Sequence, residues 1–368
     1  MDMMRDVWCV LGLVFDDTRL KASTTLLNLY IEQNKRCFLT TPNLNFVIAT
    51  QTDSTFFDSV IDSDLSVADG MPIIWVAKLL GVPLNERIAG STLFDELSQQ
   101  KKTTQKTKVF FFGGQQGIAE QACAKLTENS NGMVGCGFYD PGFVSVEQMS
   151  SNDVIDKLNQ AEPDFIVVAL GAKKGQQWIQ HNKAKLKAPV ISHLGAVINF
   201  VAGNIERAPL VWQRCGMEWL WRIRQEPALW KRYLYDGCSF VQLLISKVIP
   251  LAIYDRFLKR TKDYRSQPML AIHHQTSCLL MNLQGSIHNR AMTFVKEQFS
   301  EVLGNNDENV VIDCSGLTYI DAAFLGSLLL FQRYLSESKR TLTLQAVPKR
   351  IIRIISLNNV LNRFTIIS

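Results

Sequence analysis

The stretch Val109-Phe110-Phe111-Phe112-Gly113-Gly114-Gln115-Gln116-Gly117, running on through Ile118 to Leu126, holds the fold in miniature. Four consecutive apolar residues bounded by glycine read as a short strand buried on both faces. The glycines read as a tight turn, and Ile118 to Leu126 as a helix. A strand that turns on glycine into a helix is half of a βαβ unit, so the next strand is expected to lie parallel to the first.

The same rhythm extends outward in both directions. Cys9 to Phe15 reads as a first buried strand, Thr24 to Gln33 as a helix, Cys37 to Thr41 as a strand, and Phe46 onward as a helix. Val134 to Phe138, Phe165 to Leu170 and Val190 to His193 read as further buried strands. The alternation predicts an α/β domain with a mainly parallel sheet, whose ligands sit at the carboxyl ends of the strands. The turn Gly113 to Gly117 suits a phosphate approaching a helix N-terminus. It lacks the Walker lysine and the complete dinucleotide fingerprint, so turn glycines and a nucleotide contact both remain open.

A second informative stretch is Ser66 to Gly90, SVADGMPIIWVAKLLGVPLNERIAG. Asp69-Gly70 opens a segment with helical apolar spacing, which puts the carboxylate at the mouth of a helix. Arg87 follows in a loop marked by Gly81, Pro83 and Gly90. A carboxylate and a guanidinium held on neighbouring loops suit transfer chemistry on a hydroxylated, phosphorylated substrate, while a helix cap and a solvated arginine account for the same residues. Asp62-Ser63-Asp64 spells the D-x-D of metal-dependent transferases and is read as a solvated pair. No metal site is expected.

Composition narrows the class. The 368 residues, 47% hydrophobic and 20% charged, allow two or three globular domains. The eight cysteines form no C-x-x-C pair and read as buried thiols of a reducing compartment. Net charge is −3 over residues 1–204, +6 over 205–265 and +2 over 266–368, so one middle segment seeks phosphates. No run of about 18 uninterrupted apolar residues exists, and no transmembrane helix is expected.

The basic segment interleaves four tryptophans with Arg207, Arg214, Arg222, Arg224, Lys231 and Arg232. Arginines about one or two helical turns apart can converge on one anion, or stay solvated beside inward-packed aromatics. Phe240 to Arg260 is apolar along one side, interrupted by Lys247 and Pro250, and reads either as a helix lying on a bilayer or as a core or dimer-interface helix. After a linker at Lys259 to Pro268, strands at Ser277–Leu283, Asn309–Cys314 and Thr341–Ala346 alternate with helices at Asn289–Leu303, Ala322–Ser336 and Lys349–Asn358. The division expected is 1–204, 205–265 and 266–368.

Taken together, Thr41-Pro42-Asn43, Ala68-Asp69-Gly70, Glu86-Arg87-Ile88-Ala89-Gly90, Phe112-Gly113-Gly114, Leu170-Gly171-Ala172, Arg207-Ala208-Pro209, Glu218-Trp219-Leu220 and Trp230-Lys231-Arg232-Tyr233 resemble the WecG/TagA/CpsF glycosyltransferases over roughly residues 7–245. The resemblance implies a Rossmann-like transferase core with a basic helical appendage. It implies an inverting enzyme moving an N-acetylmannosamine-type or related sugar from a UDP-sugar to a polyprenyl-diphosphate-linked saccharide, in bacterial exopolysaccharide or other cell-surface polysaccharide synthesis. The place implied is peripheral, at the cytoplasmic face of the inner membrane. Asp69 is then the base that deprotonates the acceptor hydroxyl. Thr41 and Asn43 line its pocket, Arg87 orients acceptor or phosphate, and Gly113, Gly114, Gly171, Gln176 and Arg207 contact substrate. Arg222 and Arg232 clamp a diphosphate in place of a metal, and no cofactor is implied.

The chain departs from the family pattern at several points. The customary G-x-P-x-Q-E reads Gly171-Ala172-Lys173-Lys174-Gly175-Gln176, an aspartate has become Asn199, and one appendage arginine falls at Leu229. Val311-Ile312-Asp313-Cys314-Ser315-Gly316-Leu317 through Gly326 resembles a STAS domain, a small α/β fold, with Ala322 and Ala323 where phosphorylated members carry Ser or Thr. That tail implies docking to a protein partner or to a second copy. A catalytically weakened transferase fold that recruits partners through the tail is the alternative. Nucleic acid is not an expected partner, because the aromatics recur at helical rather than strand spacing.

Overall fold

The computed structural model describes residues 2–101, 105–275, 278–305 and 307–367. Near the N-terminus β1 (Val7–Val10) and β2 (Leu13–Asp16) pair antiparallel, with Val7 opposite Asp16. This corrects the reading of Cys9 to Phe15 as one strand. Leu11 and Gly12 both have positive φ, 53° and 89°, as a two-residue hairpin turn of matching twist requires.

By its contacts the chain forms two compact units, one of Thr18–Ile74 and Asn85–Asp236, the other of the residues up to Asp17, Trp75–Leu84 and Gly237 onward. These cuts differ from the division at 204 and 265 drawn from charge and pattern. The reason for the hairpin's membership is packing. It lies on the helix Ala322–Glu337 so closely that a Cβ on Gly326 would stand 3.2 Å from the Cys9 nitrogen, and Lys296 pairs with Asp6 at 2.7 Å.

The first unit is a six-stranded sheet of β3 (Cys37–Thr40), β4 (Leu65–Ser66), β5 (Thr107–Gly113), β6 (Met133–Tyr139), β7 (Phe165–Ala169) and β8 (Val190–His193). The order is β4-β3-β8-β7-β5-β6, and every pairing is parallel. Successive side chains of β5 feed opposite cores, Val109 and Phe111 one, Phe110 and Phe112 the other, which explains an unbroken apolar run in a parallel strand. At its carboxyl end Gly113 has φ 97°, and a Cβ there would lie 2.7 Å from the Ala169 carbonyl oxygen. The Asp62-Ser63-Asp64 pair is not solvated. The Asp62 side chain, 3% exposed, is paired with Lys183, and Asp64 accepts from the Phe38 N–H at 2.8 Å, at the amino end of β3.

In the second unit β9 (Met269–His274), β10 (Cys278–Ile287), β11 (Asn309–Ile320), β12 (Leu342–Gln345) and β13 (Thr365–Ile367) form a sheet in the order β13-β12-β11-β10-β9. Among its described strands only β9 is antiparallel to its neighbour; it is an edge strand between the linker expected to end at Pro268 and the strand expected from Ser277, and it is absent from the sequence reading. Ser277, the first residue expected of the strand that follows, lies outside the described residues. Asp321 caps the helix Ala322–Glu337, accepting from Phe324 N–H at 2.9 Å and from Asn289 N–H at 2.8 Å.

Pro227–Leu258 is one helical run, long and apolar enough to cross a membrane by length and composition, which the sequence reading did not expect. Pro250 does not break it, because the turn before it, Leu244–Val248, is a π-turn in which Ile249 N–H reaches Leu244 O, making room where a proline ring would meet the preceding turn. From Gly237 onward one side of this run is held to the small sheet's helices and strands: Lys247 donates to Ser356 O at 3.0 Å, Arg353 lies 4.5 Å over the Tyr254 ring, and Tyr319 donates to Asp255 at 2.5 Å. Val241, Ile245, Ile249, Ile253 and Phe257 are 44–65% exposed. The cysteine reading holds for Cys9, Cys37 and Cys314, whereas Cys215 and Cys238 are exposed.

Gly113→Ala should cost about 1–3 kcal/mol, because it combines a positive φ with a backbone clash. Urea unfolding checks this, and an unchanged midpoint would contradict the tight β5–β7 approach.

Candidate functional site

The loops that leave β3 and β4 continue side by side beyond the strands. Val67 N–H donates to Thr40 O and Asp69 N–H to Pro42 O, both at 3.0 Å, and Ile88 N–H donates to Ala68 O at 2.9 Å. Three sequence-distant segments, 40–43, 67–69 and 87–90, are thereby laid edge to edge. Asn43 caps the helix Leu44–Thr52 by accepting from Phe46 N–H, and its Cβ lies 4.0 Å from where a Cβ on Gly70 would stand. Gly90 lets this segment pack closely: a Cβ there would fall 2.6 Å from the Leu194 Cδ2 and 3.2 Å from the Thr41 hydroxyl, so Leu194 would have to shift.

Asp69 sits in the middle, its carboxylate accepting from Gly90 N–H at 3.4 Å, at the start of the helix Gly90–Gln99. Burial pushes its pKa up to about 6 despite the opposing charge of Arg87; the Glu218 carboxylate adds to the rise, and Gly90 N–H and Arg222 oppose it. A carboxyl group tuned this close to neutrality can both accept and release a proton near physiological pH.

Arg87 is held by a bidentate ion pair with Glu218, at 2.5 Å and 3.0 Å. Arg222 and Arg207 converge on one ring, lying 5.5 Å and 5.7 Å over Phe200. Arg207 also reaches Asp95 at 3.3 Å and donates to Ser91 O. Arg232 lies over Tyr233 and faces the buried Asp236, whose pKa is raised by burial and which accepts from Asn45 at 3.3 Å.

The structure thus gathers Thr41, Asn43, Asp69, Arg87 and Arg222 into one neighbourhood at the carboxyl ends of the strands. Gly113 and Gly114 lie at the end of β5, where Gly114 N–H donates to Ala169 O at 2.8 Å. Gly171 is exposed before the helix Ala172–Asn182. Gln176 has no exposed surface, and neither polar atom of its side chain has a hydrogen-bond partner among the described residues. Glu218 and Asp236 were not singled out from sequence. Glu218 carried a signal, in the Glu218-Trp219-Leu220 motif.

The departures from the family pattern have local partners. Lys173 pairs with Asp53 at 2.5 Å, and a Cβ on Gly175 would stand 2.2 Å from the His193 ring. His193, its pKa lowered by burial, approaches Leu170 O at 2.6 Å. Glycine is therefore what this histidine requires at position 175.

The chain matches the sequence signature described as Glycosyl transferase WecG/TagA/CpsF family over residues 8–252, and that of the Mlab, STAS domain over 270–362. A protein of Bacillus spizizenii named N-acetylglucosaminyldiphosphoundecaprenol N-acetyl-beta-D-mannosaminyltransferase is 30% identical over 205 residues, 56% of this chain and 77% of that one. Proteins of the same name from Bacillus subtilis and Staphylococcus aureus are 27% and 24% identical, covering 56% and 61% of this chain and 78% and 85% of their own.

The raised pKa of Asp69 means that the folded state binds its proton more tightly than the unfolded chain, whose value is near 3.8. Its favourable contribution is complete below the unfolded value and is lost as pH rises through about 6. Asp69→Asn, fixed in the neutral form, should therefore gain in melting temperature over wild type as pH is raised from about 4 to about 8. A difference that does not grow with pH would contradict the burial argument. Gly175→Gln should lose about 1–3 kcal/mol by overpacking. Chemical denaturation should show much of this recovered in Gly175→Gln with His193→Ala, and no recovery would show that the histidine is not the obstacle.

Proposed function

The chain belongs to the WecG/TagA/CpsF glycosyltransferase family, and we propose that it moves an N-acetylmannosamine-type or related sugar from a UDP-sugar to a polyprenyl-diphosphate-linked saccharide in polysaccharide assembly. The observation that carries the reading is a carboxyl group held by the Gly90 N–H beyond the carboxyl ends of parallel strands, its pKa raised by burial, with the charges of Arg87 and Arg222 acting on it. The relatives' names specify an N-acetylglucosaminyl diphosphoundecaprenol acceptor and an N-acetylmannosaminyl group, which supports the substrate class.

In this reading Asp69 takes the proton of the acceptor hydroxyl as its oxygen attacks the anomeric carbon. The bond from that carbon to the diphosphate breaks, its electron pair leaves on the diphosphate oxygen, and attack from the opposite side inverts the centre. Thr41 and Asn43 line the pocket beside Asp69. Arg222 and Arg232, with Arg87, meet the growing negative charge of the leaving diphosphate. Gly113, Gly114 and Gly171, which need little room of their own, let the donor approach the backbone closely; the buried Gln176 supports the donor pocket, and Arg207 steadies the helix Gly90–Gln99.

The exposed apolar row Val241, Ile245, Ile249, Ile253 and Phe257 supports placement at the membrane. Its helix keeps protein contacts through Lys247, Tyr254 and Asp255, so a position lying on the cytoplasmic face of the bilayer fits better than one crossing it. The STAS-like domain offers a docking surface to a protein partner or a second copy.

Transfer from a panel of UDP-sugars to short-chain polyprenyl-diphosphate saccharides tests the reading. Wild type should transfer from one donor with an acid limb near pH 6, and Asp69→Asn should lose at least about a hundredfold in kcat while still binding UDP. Equal turnover by both proteins would remove Asp69 from the mechanism.

A further inference from the structure

The charges facing Asp69 are Arg87 from the loop before Gly90 and Glu218 and Arg222 from the helix Glu218–Gln225. With Asp69 ionised they make two cations and two anions, so no cation immediately around Asp69 is without a countercharge before substrate arrives. Arg87 is only 13% exposed, and both arms of its fork are already taken by Glu218. A guanidinium so desolvated stays stable only while an anion faces it. Glu218 is freer. Its side chain is 34% exposed, and it sits in the first turn of its helix, where the helix dipole favours a carboxylate even without a partner.

We propose that Glu218 is a positioning residue that holds Arg87 in the empty site and yields it to a substrate diphosphate. The phosphate oxygens take the same planar fork that the carboxylate occupies, so the arginine exchanges one bidentate anion for another and is never left unpaired. The exchange moves one negative charge away from Asp69 as the diphosphate brings its own. The helix Glu218–Gln225, released from Arg87, remains tethered to the segment 200–206 by the stacking of Arg222 on Phe200 and by the Trp221 indole Nε1–H donating to Glu206 O at 3.2 Å. The proposal rests on the assignment of Asp69 and Arg87 to the transfer site, but its central claim concerns anion binding.

Glu218→Gln keeps the size and one hydrogen bond while removing the charge. Calorimetric titration of the full chain with inorganic pyrophosphate and with UDP should show about fivefold tighter binding than wild type, the worth of a partly exposed ion pair. The gain should vanish in Glu218→Gln with Arg87→Ala. In the transfer assay the acid limb of kcat/KM should move to lower pH, since the carboxylate that raises Asp69 is gone, whereas a purely structural loss would lower activity evenly across pH. Unchanged or weaker anion binding by a Glu218→Gln protein with wild-type melting temperature would overturn the proposal. So would a gain that persists without Arg87. If the variant melts early, Glu218→Asp, which keeps the charge, should restore wild-type affinity; tighter binding by Glu218→Asp as well would equally overturn it. If wild type transfers no sugar from any donor while the binding contrast stands, the catalytic reading fails and the exchange survives.

Discussion

The three backbone hydrogen bonds that run on past β3 and β4 are the constraint on which the site depends. Thr40, Pro42 and Ala68 offer carbonyl oxygens to Val67, Asp69 and Ile88, so the loops behave as a short extension of the sheet. A loop with its own backbone groups paired is stiff, and a stiff loop can hold a carboxylate away from water. Burial of Asp69, and hence its raised pKa, is a consequence of that ladder and of Gly90, which lets the third segment close against Thr41 and Leu194.

Electrostatics in the site is arranged by elements that belong to the basic appendage. Glu218 and Arg222 come from one helix, and Arg232 and Asp236 from the next, while the loop beyond β4, the loop before Gly90 and the helix Leu44–Thr52 supply Asp69, Arg87 and Asn45. Arg207, Arg222, Arg224, Lys231 and Arg232 each already have an aromatic ring or a carboxylate as a protein partner. Such an arrangement keeps a basic segment folded without substrate, and it makes anion exchange rather than anion capture the natural chemistry.

The STAS-like domain shows a different economy. Where phosphorylated members of that fold carry Ser or Thr, this chain has Ala322 and Ala323, and the preceding Asp321 is committed to capping and to the Asn289 amide. Nearby, Tyr319 is engaged by Asp255 of the apolar helix, and Arg350 by Asp263 of the linker. The surface around the helix start is therefore occupied in part by the chain's own linker, and the fold packs against the apolar helix.

Much of the α/β core was legible in the sequence, because parallel strands buried on both faces leave short apolar runs ending in glycine, as at Val109 to Gly113. Motif order likewise marked Asp69 and Arg87, and the alternation of elements in the tail marked its class. Other features were decided only in three dimensions. Leu11-Gly12 does not announce a hairpin, since leucine seldom takes a positive φ and tertiary packing on the helix Ala322–Glu337 holds it there. Local charge cannot tell that Asp62 is buried against Lys183 rather than solvated. Nor can it tell that Gly175 answers to His193, or that Glu218 closes on Arg87, because those pairs are brought together across many residues by the sheet. Sequence determined which groups could do chemistry here; the tertiary structure decided which of them stand close enough, and dry enough, to change one another's charge.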